Sequence, residues 1–313
     1  MKLVITGGAG CLGSNLVEAY LSEGHEILVI DNFATGRREV LPTLPRLEIV
    51  EGTVGDRDLI DTVFARFAPT HVIHSAASYK DPSDWREDAL TNVIGTINVV
   101  DAARRVGVKR FVYFQTALCY GRPERVPIPV DHPTRPFTSY GISKTAGEAY
   151  VAISGLSWIS LRLANITGPR LSIGPIPTFY KRLKAGQKCF CTDAVRDFLD
   201  MSDFLELMET VLRQDAPTGI FNVSSGEGHS IAEVFDTVAS CLGISLTDAV
   251  PIVPPNPDDV AAVVLDPSRT REVLGWRAKL ALAESISRTI RWYEAYGVSS
   301  IHSHLKSPPV ETQ

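Results

Sequence analysis

The amino-acid sequence predicts an α/β fold: a doubly wound parallel sheet followed by a smaller C-terminal α/β domain. Strand-like and helix-like segments alternate through the first half of the chain, which is typical of a parallel sheet with helices on both faces. The chain has 313 residues, 44% of them hydrophobic and 21% charged. That length is enough for one large or two modest domains with a sizeable core.

The first strand, at residues 2–6, runs directly into the glycine-rich turn Gly7-x-x-Gly10-x-x-Gly13, and a helical pattern follows. A strand, a tight turn and a helix in this order point free backbone N–H groups at a pyrophosphate. The second strand, at 26–30, ends in Asp31, 18 residues after Gly13. A carboxylate at that point can bind both hydroxyls of an adenosine ribose. The pattern predicts dinucleotide binding, and Asp31 favours NAD over NADP because it would repel a 2′-phosphate.

The remaining elements follow in order along the chain. Strands are expected at residues 47–50, 71–74, 110–114, 158–163 and 220–223, and helices at 59–67, 85–106, 140–153, 175–185, 201–212, 231–242 and 281–296. Ligands bind at the carboxyl ends of parallel strands. The glycine turn, Asp31, Ala76 and Thr116 should therefore line one crevice.

The predicted domains are a Rossmann-type NAD-binding domain and a substrate-binding domain. The first covers residues 1–165 with a returning segment near 197–224. The second covers 166–196 and 225–300, and residues 301–313 are expected to form a disordered tail.

Charge and composition exclude several classes of protein. A net charge of −5 and a pI near 5.8 argue against a general nucleic-acid or anionic-membrane binder. No apolar run reaches the roughly 18 residues that span a bilayer, and a first strand at residue 2 leaves no room for a signal peptide. The five cysteines are scattered and form no C-x-x-C pair, which predicts a reduced, cytoplasmic protein without a metal site.

A tyrosine and a lysine four residues apart, Tyr140 and Lys144, share one face of a predicted helix. Tyrosine, with an ordinary pKa of about 10, is a poor base near neutrality. A neighbouring ammonium and a bound, positively charged nicotinamide would lower the pKa of the phenol. Such a pair is often only a surface contact, but after a dinucleotide-binding pattern it predicts that Tyr140 is a general base.

At this point the chain resembles the extended short-chain dehydrogenases/reductases, specifically the nucleotide-sugar epimerase/dehydratase family and its UDP-sugar 4-epimerases. The matching motifs run in family order from residue 3 to about residue 295. They are Thr6-Gly7-Gly8-Ala9-Gly10-Cys11-Leu12-Gly13, Asp31-Asn32, His74-Ser75-Ala76-Ala77, Asn92-Val93-x-Gly95-Thr96, Thr116-x-x-x-Tyr120-Gly121, Tyr140-x-x-x-Lys144, Leu161-Arg162-x-x-Asn165, Arg196-Asp197-Phe198 and Leu274-Gly275-Trp276.

The resemblance implies roles for individual residues. Tyr140 would be the base, Thr116 would hydrogen-bond the substrate hydroxyl, and Lys144 would hold the nicotinamide ribose. The NAD-binding set would be Gly7, Gly10, Cys11, Leu12, Gly13, Asp31, Asn32, Thr35, Gly36, Thr53, Val54, Ser75, Ala76, Ala77, Asn92, Tyr140 and Lys144. The substrate-binding set would be Ser78, Thr116, Asn165, Lys188, Phe190, Arg196 and Arg271, with Arg269 as an alternative to Arg271.

One departure from the family lies in the adenine region. The family often has an acid directly after the glycine that ends the third strand, whereas Gly52 is followed by Thr53. Val54 could still pack on the adenine. The departure leaves open which side chain reads the adenine amino group.

The residues after Thr116 bear on the reaction type. Dehydratases and decarboxylases of the family carry an acid one or two residues after this position, but the chain has Ala117 and Leu118. An NAD-dependent 4-epimerase is therefore favoured, acting on a nucleotide-diphosphate sugar, with UDP-hexose or UDP-hexuronate preferred. It would form a transient 4-keto sugar and recycle its bound NAD.

Three alternatives remain beside the epimerase, one of them the nucleotide-sugar dehydratase or decarboxylase that the residues after Thr116 disfavour. A 4-keto-sugar reductase would consume NADPH, which Asp31 argues against. A non-catalytic NAD-binding regulatory protein would not need Thr116, Tyr140 and Lys144 together. The resemblance further implies a homodimer formed through the long helix of residues 92–106 and the tyrosine-bearing helix.

Overall fold

The largest sheet of the computed structural model, which describes residues 1–245, 249–254 and 259–298, has seven parallel strands. The strands of the chain are β1 (Lys2–Thr6), β2 (Glu26–Asp31), β3 (Leu47–Glu51), β4 (His71–His74), β5 (Arg110–Thr116), β6 (Trp158–Leu163), β7 (Asn165–Thr167), β8 (Cys191–Thr192), β9 (Val195–Asp200), β10 (Gly219–Val223), β11 (Gly228–Ser230), β12 (Ile252–Val253) and β13 (Ala262–Val263). Their order in the large sheet is β10-β6-β5-β4-β1-β2-β3. The predicted parallel α/β fold is confirmed.

Helices lie on both faces of this sheet and in the C-terminal part of the chain. They are α1 (Cys11–Ser22), α2 (Arg57–Phe67), α3 (Trp85–Asp88), α4 (Gly95–Arg105), α5 (Ser139–Ala152), α6 (Pro175–Lys184), α7 (Met201–Val211), α8 (Ile231–Cys241), α9 (Ser268–Leu274) and α10 (Leu282–Tyr296). The helix expected at 85–106 is α3 and α4 joined by a π-helical segment, Ala89–Ile94. Such π segments are frequently found at functional sites.

Alternation along β1 shows how the two faces are filled. Leu3 and Ile5 pack in one apolar cluster with residues of α1 and α7, whereas Val4 packs in a second cluster with residues of α2 and α4. Successive side chains of a strand point to opposite faces. A strand that is buried on both faces therefore has consecutive apolar residues, as at residues 3–5.

The strand order reverses between β1 and β4, because β2 and β3 lie on one side of β1 and β4 to β6 on the other. In open α/β sheets the crevice outside the carboxyl ends at this reversal is where ligands bind. The turns after β1, β2 and β4 all open at that edge. The fold thus brings the glycine turn, Asp31 and the loop of residues 75–78 together.

The C-terminal part adds strands that the sequence pattern did not indicate. Strand β9 pairs with β7, β11 and β13 in a second sheet, and β8 pairs with β12. The returning segment predicted near 197–224 places β10 at the edge of the large sheet beside β6. The domain bounds stay a prediction, and the predicted tail at 301–313 lies outside the described residues.

Within the described ranges no helix is long and apolar enough to cross a membrane. The same residues contain no cluster of three or more metal-ligating side chains.

Candidate active site

The glycine turn after β1 lies directly against the loop that follows β4. Gly7 has a positive φ of 67°, and a Cβ there would come within 2.7 Å of the backbone nitrogen of Ala76. A Cβ on Gly13 would overlap the carbonyl oxygen of Gly7. Only glycine fits a left-handed conformation with such close approach. The turn therefore keeps an open cradle of backbone at the start of α1.

Asp31 fixes this cradle from the end of β2. Its Oδ2 accepts a hydrogen bond from the backbone N–H of Ala9 (2.8 Å), and its Oδ1 accepts one from Phe33 (2.8 Å). Burial raises the pKa of Asp31, and the two N–H donors oppose this rise. Each oxygen keeps a further lone pair, so the carboxylate can still accept hydrogen bonds from a ribose.

A cavity of about 610 Å³ extends from the glycine turn across the ends of β4 and β5 to the start of α6. This volume is within the range of cofactor sites. The predicted residues on its wall are Gly7, Gly10, Cys11, Leu12, Asp31, Asn32, Thr35, Gly36, Thr53, Val54, Ser75, Ala76, Ala77, Ser78, Thr116, Tyr140, Lys144 and Asn165. The open glycine cradle and the carboxylate beside it fit a dinucleotide.

Four of the predicted substrate residues lie off this wall. Arg196 is ion-paired with Asp259, and its Nη1 donates to the carbonyl of Val195 (2.8 Å). Arg271 donates from Nη2 to the hydroxyl of Ser268 (3.3 Å).

The other two lie in the loop after α6. The backbone carbonyl of Lys188 accepts a hydrogen bond from Arg182 Nε (2.8 Å), and the ring of Phe190 lies 5.8 Å from the guanidinium of Arg182. Their substrate-binding roles, like those of Arg196 and Arg271, remain predictions.

The predicted catalytic residues meet at one end of the cavity. Thr116 ends β5, and its hydroxyl accepts a hydrogen bond from the N–H of Leu118 (3.2 Å). Tyr140 is the second residue of α5, which begins there because the hydroxyl of Thr138 caps the N–H of Gly141 (3.1 Å). Lys144 follows one helical turn later on the same wall.

Lys144 is almost completely buried, and its backbone and side chain are both held by β5. Its carbonyl accepts hydrogen bonds from the hydroxyl of Tyr113 (2.9 Å) and from Nε2 of Gln115 (3.0 Å). Its Nζ lies 4.0 Å from the centre of the Tyr113 ring. Burial lowers the pKa of Lys144 to about 7, although the carboxylate of Glu148 opposes this change.

The acidity of Tyr140 in the protein alone differs from the expectation. Burial, and after it the charges of Tyr79 and Asp88, raise the pKa of the phenol above its ordinary value. The sequence predicted a lowered pKa because of the ammonium of Lys144, but that ammonium lies over the ring of Tyr113. A phenolate at Tyr140 would therefore depend on the other expected positive charge, that of the bound nicotinamide.

Asn92 lies in the π-helical segment, buried behind the cavity wall. Its Oδ1 accepts a hydrogen bond from the backbone N–H of Ser78 (2.9 Å). Its Nδ2 donates to the carbonyl of Ser78 (3.0 Å) and to the hydroxyl of Ser143 (3.0 Å). Asn92 thus ties the loop after β4 to the helix that carries Tyr140, which is a positioning contact.

Replacing Asn92 with alanine is expected to leave the N–H and C=O of Ser78 without their buried partners. Each such loss costs on the order of 1–3 kcal/mol, and Ser78 is expected to shift relative to Tyr140. We predict a lower melting temperature, measured by thermal unfolding. Steady-state kinetics should show a fall in kcat that is larger, as a factor, than the rise in KM. Unchanged kcat and melting temperature would contradict this role.

His74 connects β1, the strand before the glycine turn, to α4. Its Nδ1 lies 2.7 Å from the hydroxyl of Thr6, and its Nε2 lies 3.0 Å from the hydroxyl of Thr96. Burial lowers the pKa of His74 to about 3, so the imidazole is neutral. The Thr96 hydroxyl in turn donates to the carbonyl of Asn92 (2.7 Å). His74, directly before the Ser75-Ala76-Ala77 loop, is thus linked through Thr96 to the π-helical segment.

Tyr79 is a cavity residue that the sequence reasoning missed. Its ring lies 6.2 Å from the ring of Tyr140 in an edge-to-face arrangement. Burial raises the pKa of Tyr79, and the Thr35 side chain opposes this rise. The sequence feature that could have identified it is an aromatic residue directly after the small-residue loop 75–78. The cavity wall at 163–176 was also missed, because only Asn165 belongs to a recognised motif.

Residues 3–224 match the model of the NAD-dependent epimerase/dehydratase family. A UDP-glucose 4-epimerase of Mycolicibacterium smegmatis is 32% identical over 94% of this chain and 98% of its own. The crystal structure of the Bordetella bronchiseptica enzyme WbmG in complex with NAD and UDP is 63% identical, with a TM-score of 0.93, and the match covers 98% of this chain and 99% of that one. The Thermotoga maritima UDP-glucose 4-epimerase with UDP-glucose is 27% identical, with a TM-score of 0.87 over 94% of this chain and 99% of that one.

The family model covers well over half of the chain, and the glycine cradle, Asp31, Thr116, Tyr140 and Lys144 all line one cavity. The chain therefore belongs to the NAD-dependent epimerase/dehydratase family.

Proposed function

We propose that this protein interconverts the two C4 epimers of a UDP-linked sugar, by way of a transient 4-keto sugar. The observation that carries the proposal is the shared cavity, in which Thr116, Tyr140 and Lys144 lie beside the dinucleotide cradle. NAD, when bound, supplies the hydride acceptor and donor. Relatives named UDP-glucose 4-epimerase, and a UDP-bound structural neighbour, support this substrate class.

Each catalytic side chain has a defined task in this proposal. The Tyr140 phenolate takes the proton of the 4-hydroxyl and later returns a proton to the oxygen at C4. The Thr116 hydroxyl hydrogen-bonds the same oxygen. Lys144 binds the nicotinamide ribose, and Asp31 binds the adenosine ribose. Because the sugar must present either face of C4, the cavity has to hold the UDP part firmly and the sugar loosely.

The residues after Thr116 support a reaction without a second chemical step. Ala117 is buried and apolar, and Leu118 cannot carry a proton. A dehydratase or decarboxylase would need an acid near this position. The epimerase therefore remains the better proposal, and the reductase and the regulatory protein are its alternatives.

The direct experiment incubates the purified protein with UDP-glucose, UDP-N-acetylglucosamine or UDP-glucuronate and identifies products by NMR. The proposal predicts a 4-epimer from at least one of them, with no net accumulation of NADH. Stoichiometric consumption of NADPH with a 4-keto sugar would indicate the reductase. NAD binding without any sugar turnover would indicate the regulatory protein.

Asp31 is expected to determine the choice of cofactor. Because hydrogen bonds to a charged group contribute on the order of 1.5–3 kcal/mol, Asp31→Asn should weaken NAD binding by about 10- to 100-fold. It should also remove the repulsion of a 2′-phosphate, so the ratio of NAD affinity to NADP affinity should fall further. Calorimetric titration with both cofactors measures this ratio. The control is Glu51→Gln, which removes an exposed carboxylate at the end of neighbouring strand β3. An unchanged ratio in Asp31→Asn would rule out its ribose-binding role.

We also propose that the protein is a homodimer in a reducing compartment such as the cytoplasm. Exposed apolar side chains cluster on α5 and the π-helical segment that packs against it: Leu90, Ile94, Ile142, Tyr150 and Ile153. All five cysteines are free thiols. Light scattering in solution would test the dimer.

A further inference from the structure

Asp88 is a buried carboxylate without a task in the proposed function. It is the last residue of α3 and lies one helical turn before Asn92. Its exposed fraction is 1%, and neither oxygen receives a hydrogen bond of standard geometry from the residues that the structure describes. Buried polar atoms without partners are rare in native structures and call for an explanation.

The groups around Asp88 belong to the catalytic end of the cavity. Burial raises the pKa of Asp88, the nearby hydroxyls of Ser139 and Ser78 oppose this rise, and the charges of Asp84 and Glu87 add to it. One turn after Asp88, Asn92 donates to the hydroxyl of Ser143 (3.0 Å), which lies one turn after Ser139 on α5. Ser139 is the first residue of α5, directly before Tyr140. Ser78 lines the cavity and is the residue whose backbone Asn92 holds.

The charge of Asp88 acts on the phenol of Tyr140. With Tyr79, it is one of two charged or titratable neighbours that raise the pKa of Tyr140 beyond the effect of burial. Other titratable groups at this end are Tyr113 of β5, whose own pKa is raised in part by Tyr140, Lys144 of α5, and the carboxylates Asp84 and Glu87 of the cavity wall. Asp88 is the carboxylate among them whose charge acts directly on the phenol.

We propose that Asp88 is a positioning residue for the reaction: its buried charge, placed behind Ser78 and Ser139, keeps the Tyr140 phenol protonated until a positive charge beside it compensates. The inference rests on the proposed function, in which the nicotinamide ring supplies that positive charge. In this arrangement proton removal from the sugar is coupled to the presence of the oxidised cofactor. Asp88 touches neither substrate nor cofactor and acts through Tyr140.

The direction of the effect follows from the sign of the charge. A negative charge beside a phenol disfavours the phenolate, so its removal lowers the pKa of the phenol. In Asp88→Asn the active phenolate should form at lower pH. The acid limb of the kcat–pH profile should move by about one pH unit towards acid, while kcat on the plateau stays similar.

The experiment measures kcat against pH, at saturating UDP-sugar, for the wild type and Asp88→Asn. Asp101→Asn is the matched control, because it removes one exposed carboxylate from α4 of the same helical stretch, and its profile should overlay that of the wild type. Asp88→Ser, a smaller neutral side chain, is the second variant if Asp88→Asn folds poorly, and it should move the limb in the same direction. An equal loss of rate at every pH, with the limb in place, would show a purely structural role and overturn the inference.

A titration without turnover separates this inference from the proposed function. The ultraviolet phenolate absorbance of NAD-loaded protein, minus that of its Tyr140→Phe counterpart, follows Tyr140 alone. A lower midpoint in the Asp88→Asn background supports the inference even if no sugar is epimerised. Normal epimerisation with an unmoved midpoint would overturn the role of Asp88 and leave the epimerase proposal intact.

Discussion

Replacing Tyr140 with phenylalanine is expected to lower kcat by about 10³-fold, because the variant keeps the ring but loses the group that exchanges a proton with the 4-hydroxyl. Positioned general acid–base catalysis contributes roughly 10²- to 10⁴-fold. The hydroxyl of Tyr140 is the reacting atom in the proposal, whereas the surrounding wall stays unchanged. KM and the amount of bound NAD should therefore change little.

Steady-state kinetics with the best UDP-sugar, together with the NAD content of the purified protein, measures this effect. Tyr296→Phe is the matched control, since Tyr296 ends α10 with a largely exposed side chain, and its kcat should equal that of the wild type. Full activity in Tyr140→Phe would eliminate the phenol as the base.

Replacing Arg162 with methionine is expected to lower the free energy of unfolding by about 3–5 kcal/mol, because it leaves a buried carboxylate uncompensated. Arg162 Nη2 donates to Glu148 Oε2 (2.7 Å), and the Ser160 hydroxyl donates to Glu148 Oε1 (2.5 Å). This pair joins β6 to the helix of Tyr140 and Lys144. The negative charge of Glu148 also raises the pKa of Lys144, so loss of Arg162 disturbs the site electrostatically as well.

Urea unfolding followed by circular dichroism gives the change in unfolding free energy. Arg105→Met serves as the control, because Arg105 pairs with Asp61 at the exposed surface, where an ion pair contributes at most about 1 kcal/mol. Equal losses in the two variants would show that the Glu148–Arg162 pair is no more important than a surface pair.

Much of the NAD half of the site could be predicted because its determinants are local in sequence. The glycine turn, Asp31 and the small-residue loop each follow directly after a strand, and parallel strands bring their carboxyl ends to one edge. Thr116 and the Tyr140–Lys144 spacing were likewise readable in the sequence. The structure places all of them on one wall.

The substrate half was harder to predict, for identifiable reasons. Strands of two or three residues, such as β7, β11 and β13, give no periodic pattern, so the second sheet was missed. Arg196 and Arg271 were expected to face the substrate diphosphate; their guanidinium groups contact Asp259 and Ser268, and their substrate-binding roles stay predictions. The acidity of Tyr140 depends on burial and on Tyr79 and Asp88, whose proximity only the folded chain reveals.

In the proposed epimerisation, hydrogen leaves C4 of the sugar and returns to C4 within one active site. The decisive measurement uses a UDP-sugar deuterated at C4, incubated in ordinary water until the epimers equilibrate, with both analysed by mass spectrometry and NMR. Both epimers are expected to keep their deuterium at C4. Replacement of the deuterium by solvent hydrogen, or its release in stoichiometric amounts as reduced cofactor, would contradict it.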